Sequence, residues 1–190
     1  MCIRDRARTY RECRLNHEHM QAFFASMRAD LTQTTFTQQQ LDTYIYGSAE
    51  VIGLMCLDIF LRGRDTPHRR ELEEGARALG SAFQKVNFLR DLGEDSRALG
   101  RAYFNAPLDD DLKSTLTSQI ADELDRAHTA IPLLPPAARG GVAAAEALFR
   151  ELNARIAATP AAELHTTRVR VPNHLKVALT AKALANSRKP

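Results

Sequence analysis

LGSAFQKVNFLRDLGEDSRALGRAYF, residues 79–104, is the stretch that decides how this chain is read. It has no proline, and its apolar residues recur at helical spacing, so it predicts a helix running to about Leu99 with Gly100 near its end. On a wheel at about 100° per residue, Gln84, Asn87, Asp95 and Ala98 fall within about 40° of Asp91, and Phe88 and Glu94 within about 60°. Leu79, Ala82, Val86 and Leu89 lie on the other side. Arg90, Arg97 and Arg101 form a third row, roughly 100° round from the aspartates. One helix therefore carries an apolar stripe, an amide-and-carboxylate stripe and an arginine stripe.

Spacing alone leaves two readings open. The plain one is an amphipathic surface helix with its polar face in water. Against it, Asp91 and Asp95 at i and i+4 repel each other on an exposed helix. Gln84 and Asn87 line up with them where solvated faces more often carry Lys and Glu, and Phe88 shares the face, which predicts a cavity wall. The second reading is a metal and phosphate site. Carboxylates one turn apart are hard oxygen ligands for Mg²⁺, which takes a few carboxylates plus phosphates and waters. Arginines beside them can hold a diphosphate by bidentate hydrogen bonds. Equally, Arg90 and Arg97 can pair with Glu94, at i+4 and i−3.

Outward from this helix, further helices follow with short breaks. One covers about Asn16 to Leu31. A second opens at Thr37, whose Gln40 three residues on makes a capping box, and runs to about Leu61. RGRDTPHRR, residues 62–70, is a loop, with Asp65 or Thr66 as cap and Pro67 in the first turn of the long helix. GRAYFNAPLDDD, residues 100–111, is an irregular link. Three more helices cover about Leu112–Ala130, Ala137–Ala157 and Pro172–Ala185, the first two separated by Pro132, Pro135 and Pro136. No repeat or linker divides the chain, so the expected architecture is one all-α helical bundle.

Composition narrows the function. A net charge of +3 with no basic patch interleaved with aromatics excludes nucleic acid as the expected partner. It suits an anionic substrate or an acidic lipid surface. Cys2, Cys13 and Cys56 make neither a metal spacing nor a disulfide framework, which fits a reducing cytoplasm. Cys56 reads as core. The longest apolar run, Val51–Leu57, stops at Asp58, short of the roughly 18–20 residues of a membrane span. His128, His165 and His174 read as surface residues. No Ser/His/Asp set or phosphate-cradling glycine loop is visible.

QKVNFLRDLGEDSRALGRAYF resembles the second aspartate-rich signature of the phytoene/squalene synthase family, an NxxRDxxED-type pattern, with Gln84, Asn87, Arg90, Asp91, Glu94, Asp95 and Arg101 in register. FFASMRADL, residues 23–31, resembles the family's Gly-Met-x-x-Asp segment, with Asp30 as its acid. YIYGSAEVIGLM, residues 44–55, resembles its Tyr-x-Tyr-x-x-Ala-x-x-x-Gly segment, with Tyr44 as the matching aromatic. TTRVRVPNHLKVAL, residues 166–179, resembles the closing region, where Arg168 and Lys176 match basic residues. The likeness runs over about residues 19–185, so residues 19–190 are read as the C-terminal part of a single prenyl synthase domain and residues 1–18 as an atypical segment foreign to it.

The resemblance implies a bundle of the class I isoprenoid synthase type. Two prenyl diphosphates, most simply geranylgeranyl diphosphate, would condense head to head through a cyclopropyl diphosphate to phytoene, a step of carotenoid biosynthesis. It implies Mg²⁺, or Mn²⁺ in its place, held by Asp91, Asp95 and Asn87. Gln84, Asn87, Arg90, Arg168 and Lys176 would bind substrate, and Tyr44 would face the reacting centre beside Asp91 and Asp95. A cytoplasmic place, with peripheral contact at the inner face of the membrane, is the matching expectation. Squalene or dehydrosqualene synthase is the near alternative, and a non-catalytic assembly subunit of the same family the distant one. The wording of residues 47–55 and 86–95 is closer to bacterial phytoene synthases.

The departures are instructive. No Asp-x-x-x-Asp precedes Thr37, so the family's first acidic motif is not in these residues. The bundle is expected to lack its N-terminal helices, to be inactive alone, to expose part of its apolar cavity wall, and to leave Asp91 and Asp95 open to solvent. Glu50 stands where many members have Gly, Phe149 stands where many have Tyr, and Asp30 is left outside the site as a helix-terminal or structural acid.

Overall fold

A computed structural model describes residues 3–100, 103, 104 and 106–187. The described residues are helical with no strand: α1 (Ile3–Glu12), α2 (His17–Ala29), α3 (Gln38–Ile45), a π-turn (Tyr46–Glu50), α4 (Val51–Leu61), α5 (Arg69–Leu99), α6 (Asp110–Ala130), a 3₁₀ turn (Ile131–Leu133), α7 (Pro136–Ala158), α8 (Ala161–Leu164) and α9 (Asn173–Ser187). The expected all-α bundle is what forms. Its helix ends follow local chemistry. Asn16 caps α2 by accepting the Glu18 N–H. Thr37 and Gln40 make the capping box reciprocally. Asp109 caps α6 through the Leu112 N–H at 2.8 Å. Gly100 ends α5 at φ 62, a left-handed value that glycine adopts without a Cβ clash.

Four local features depart from expectation. α1 was not foreseen: its charged residues drew the reading, although Ile3, Ala7 and Tyr10 recur at helical spacing. α5 starts at Arg69 with no side-chain cap; the Thr66 hydroxyl instead accepts the His68 N–H and closes the turn before it. The predicted second helix is interrupted by the π-turn, where the Ser26 hydroxyl donates to the Tyr44 carbonyl. Finally, the helical run Gln38–Leu61 is long and apolar enough to cross a membrane by length and composition, contrary to the reading that stopped at Asp58; half of its apolar window is buried inside the fold.

α5 is the central strut, packed against α4, α6, α7 and α8. Its apolar stripe, Ala82, Val86 and Leu89, is wholly buried with Ile120, Leu124, Leu152 and Ile156. A smaller core joins α4 to α5 through Leu57, Leu61 and Leu72. There the helices meet at Gly53, where a Cβ would stand 2.3 Å from the Ala76 carbonyl oxygen. The same interface buries Asp58, whose carboxylate accepts from Arg69 at 2.6 Å. Between α5 and α6 the Glu123 carboxylate takes bonds from Ser81 and Lys85.

Candidate active site

Asp91, Asp95 and Asn87 all belong to α5 and share one face of it, as helical spacing requires. Asp91 is not the open carboxylate expected: its side chain is 19% exposed and held between two guanidinium groups. Arg90 Nε donates to Asp91 Oδ1 at 2.9 Å and Arg168 Nε donates to the same oxygen at 2.8 Å. Arg168 also stands 3.6 Å from Glu94. The bond from Asp91, with Asp95 and Glu94 behind it, holds the Arg90 guanidinium above its ordinary value. The alternative pairing of Arg90 and Arg97 with Glu94 does not occur among the described residues, because Arg97 Nε donates to the Gly93 carbonyl at 2.8 Å. Arg101 lies outside the described residues.

What brings Arg168 to Asp91 is backbone packing. A Cβ on Gly93 would stand 2.2 Å from the His165 carbonyl oxygen, so only glycine lets α5 lie against the end of α8. The chain then runs through TRVRV, residues 167–171, outside any helix. Val169 and Val171 are buried and Arg168 and Arg170 point outward, alternating with a period of two. Arg90, Phe149, Arg168, Arg170 and Lys176 line one basic pocket of about 390 Å³. Arg170 was missed in the sequence, although the Arg-Val-Arg-Val alternation signals it.

Asp95 accepts from the Tyr103 hydroxyl at 2.8 Å. Tyr103 stacks on Phe88 at 4.1 Å between ring centroids, and Phe36 and Tyr44 complete this cluster. Phe88 is therefore buried among aromatics rather than forming a cavity wall. Tyr44 is buried in the same cluster, and its hydroxyl donates to Asp30 at 2.9 Å. Asp30, which motif reading set aside, is thus a neighbour of the site, and so is Tyr103, which it did not single out. Replacing Tyr44 by Phe removes a bond to a carboxylate and is expected to cost about 1.5 kcal/mol of stability, measured as a lower urea midpoint with an unchanged slope. An unchanged midpoint would show that Asp30 does not depend on this hydroxyl.

The apolar wall lies elsewhere on α5. Ile52, Cys56, Leu72, Ala76, Leu79 and Phe83 contribute to the lining of a cavity of about 560 Å³ among α4, α5, α6 and α7. Cys56 is not core as expected: it reaches the solvent at this cavity, and its apolar surroundings raise the thiol's pKa, so it stays protonated at neutral pH. Gln84 lies half-buried one turn below Phe88, and Lys176 stands exposed in the first turn of α9. His128, His165 and His174 are exposed, as expected.

The donor set can be tested against a magnesium ion. Among the described residues no group of three or more His, Cys, Asp and Glu side chains is placed to hold a metal. Two carboxylates one turn apart are present, however. Beside them the Asn87 Oδ1 is buried and has no hydrogen-bond partner among the described residues. A buried acceptor left without a donor is costly and calls for a cation or a donor. The set fits magnesium in the manner of a site completed by phosphate oxygens and water.

An acidic helix face, a basic pocket and an adjoining apolar cavity thus lie together on the central helix of an all-α bundle. The chain belongs to the squalene/phytoene synthase family, whose model matches residues 2–110. It is 38% identical over 93 residues to the 4,4'-diapophytoene synthase of Staphylococcus haemolyticus, covering 47% of this chain and 28% of that one. It is 31% identical over 154 residues to the 15-cis-phytoene synthase of Synechococcus elongatus, covering 66% and 49%. The chain thus spans half or less of the length of these relatives. The crystal structure of the squalene synthase HpnC from Alicyclobacillus acidocaldarius superposes with a TM-score of 0.64 at 22% identity, over 77% of this chain and 61% of that one, which shows the shared fold.

Proposed function

We propose that this chain is the diphosphate-binding part of an enzyme that condenses two geranylgeranyl diphosphates head to head into phytoene. The observation that carries this reading is the placement, along one helix, of the Asp91–Asp95–Asn87 face, the Arg90–Arg168 clamp and the entry to an apolar cavity. Asp91, Asp95 and Asn87 are the residues that would hold magnesium. Bound there, the metal would neutralise the diphosphate and help it leave. Arg90, Arg168 and Lys176 bind the same diphosphate, and Arg170 shares their pocket. The cavity takes the prenyl tail and keeps water from a carbocation. Tyr44 sits beside Phe88 in the buried aromatic cluster next to the acidic face and supports it from there. These 190 residues hold one acidic pair, and on this reading they do not turn over alone. A peripheral position at the inner face of the membrane suits an apolar product.

The test joins the chain to a segment that carries the family's other acidic pair and follows products from farnesyl and geranylgeranyl diphosphate. Phytoene from the longer substrate is expected. A squalene-length product from farnesyl diphosphate alone would shift the reading to squalene or dehydrosqualene synthase. Failure of both substrates, with inorganic diphosphate still bound, would favour a non-catalytic subunit. Turnover by the 190 residues alone would overturn the division of the metal site.

A further inference from the structure

Phe83 lies seven residues before Arg90 on α5, about 10 Å lower along the axis and within about 20° of it around the helix. The apolar cavity runs from Phe83 down the helix past Leu79 and Ala76 to Leu72. The basic pocket begins with Phe149, beside Arg90, Arg168 and Lys176. One ring thus belongs to each space, and the two rings stack on each other with centroids 3.7 Å apart and planes 18° from parallel. That is van der Waals contact, with no room for a hydrocarbon chain between them.

We infer that the Phe83–Phe149 stack is a gate between the pocket that holds the diphosphate and the cavity that holds the tail. The inference rests on the assignment of those two spaces under the proposed function. A substrate whose head sits on Arg90 and Arg168 lays its tail along α5 only when the rings part. Both rings are only partly buried. Their cavity-side neighbours one turn away, Leu79 and Gly80 for Phe83 and Ala145 for Phe149, include small residues that leave space to swing into. An aromatic pair is also weakly held compared with the burial of a single five-carbon unit, so tail entry can drive the opening. The stack is therefore a selectivity element: it slows entry of a chain and leaves a bare diphosphate unaffected.

The experiment is stopped-flow binding to the 190-residue chain in Mg²⁺, with farnesyl thiodiphosphate as the prenyl probe and inorganic diphosphate as the control. Phe83→Leu is expected to speed thiodiphosphate association about tenfold, the factor that corresponds to loss of one such stack. It should leave the inorganic diphosphate rate unchanged. Phe149→Leu should act in the same way, and the double variant should be no faster than either single one, because removing either ring opens the gate. A core-packing role alone would change stability without changing the ratio of the two association rates. Unchanged thiodiphosphate rates in both single variants, with the wild type binding it more tightly than inorganic diphosphate, would overturn the gate and leave the two-space reading standing. Thiodiphosphate bound no more tightly than inorganic diphosphate by wild type and variants alike would overturn that reading and the gate together.

Discussion

Asp91→Asn is expected to lower magnesium-dependent prenyl diphosphate turnover about a thousandfold, the several kcal/mol that metal charge stabilisation supplies. The measurement is diphosphate release from geranylgeranyl diphosphate by the chain joined to the second acidic pair. The amide keeps the size of the carboxylate but not its charge. It leaves one carboxylate, Asp95, on a face that needs a pair. The same substitution has a second, opposite consequence. In the ligand-free protein Arg90 and Arg168 are both engaged by Asp91. Without that carboxylate Arg90 loses its bonded anion and Arg168 keeps only the more distant Glu94 at 3.6 Å, so inorganic diphosphate measured by calorimetry without metal should bind more tightly than to the wild type. Weaker binding there would mean that Asp91 only orders the arginines. Near-normal turnover would remove Asp91 from the metal site.

The largest effect on stability is expected from Arg69→Met. Asp58 is buried, with 6% of its side chain exposed, and Arg69 bridges it to Glu73. Without the guanidinium an uncompensated charge is left inside the α4–α5 interface, at a cost of about 3 kcal/mol. For a chain of this size that is a fall in melting temperature of roughly 6–12 °C, read by circular dichroism. The double variant Asp58→Leu with Arg69→Met removes both charges and should recover most of the loss, because desolvation and pairing nearly cancel in such a bridge. A double variant as unstable as the single one would show that the ion pair itself holds the two helices together.

Both effects concern partners that text cannot supply. Helical spacing placed Asp91, Asp95 and Asn87 on one face and Ala82, Val86 and Leu89 on another, and each set lies as expected. It could not say that Asp91 meets Arg168, a residue 77 positions away, since 168 − 91 = 77. Nor could it say that Arg97 turns to its own helix backbone instead of to Glu94. Phe88 shares the aspartate face, yet three aromatics from elsewhere enclose it, so a residue expected at a cavity wall became core. Cys56 went the opposite way and lines the apolar cavity. Capping signals read well wherever they are local, as at Thr37 and Gly100. They failed at α5, where Thr66 spends its hydroxyl on the turn before the helix.

The sequence by itself determined an all-α bundle, a long central helix ending near Leu99, and an acidic face on that helix. Those follow from 3.6-residue periodicity and from side chains within one or two turns of each other. Tertiary structure alone decided which arginines close on Asp91, where the apolar cavity opens, and that Phe83 and Phe149 meet between the two pockets. Each of these depends on how closely backbones approach, at Gly93 against residue 165 and at Gly53 against residue 76. Such distances are set by the packing of whole helices, and no local pattern encodes them.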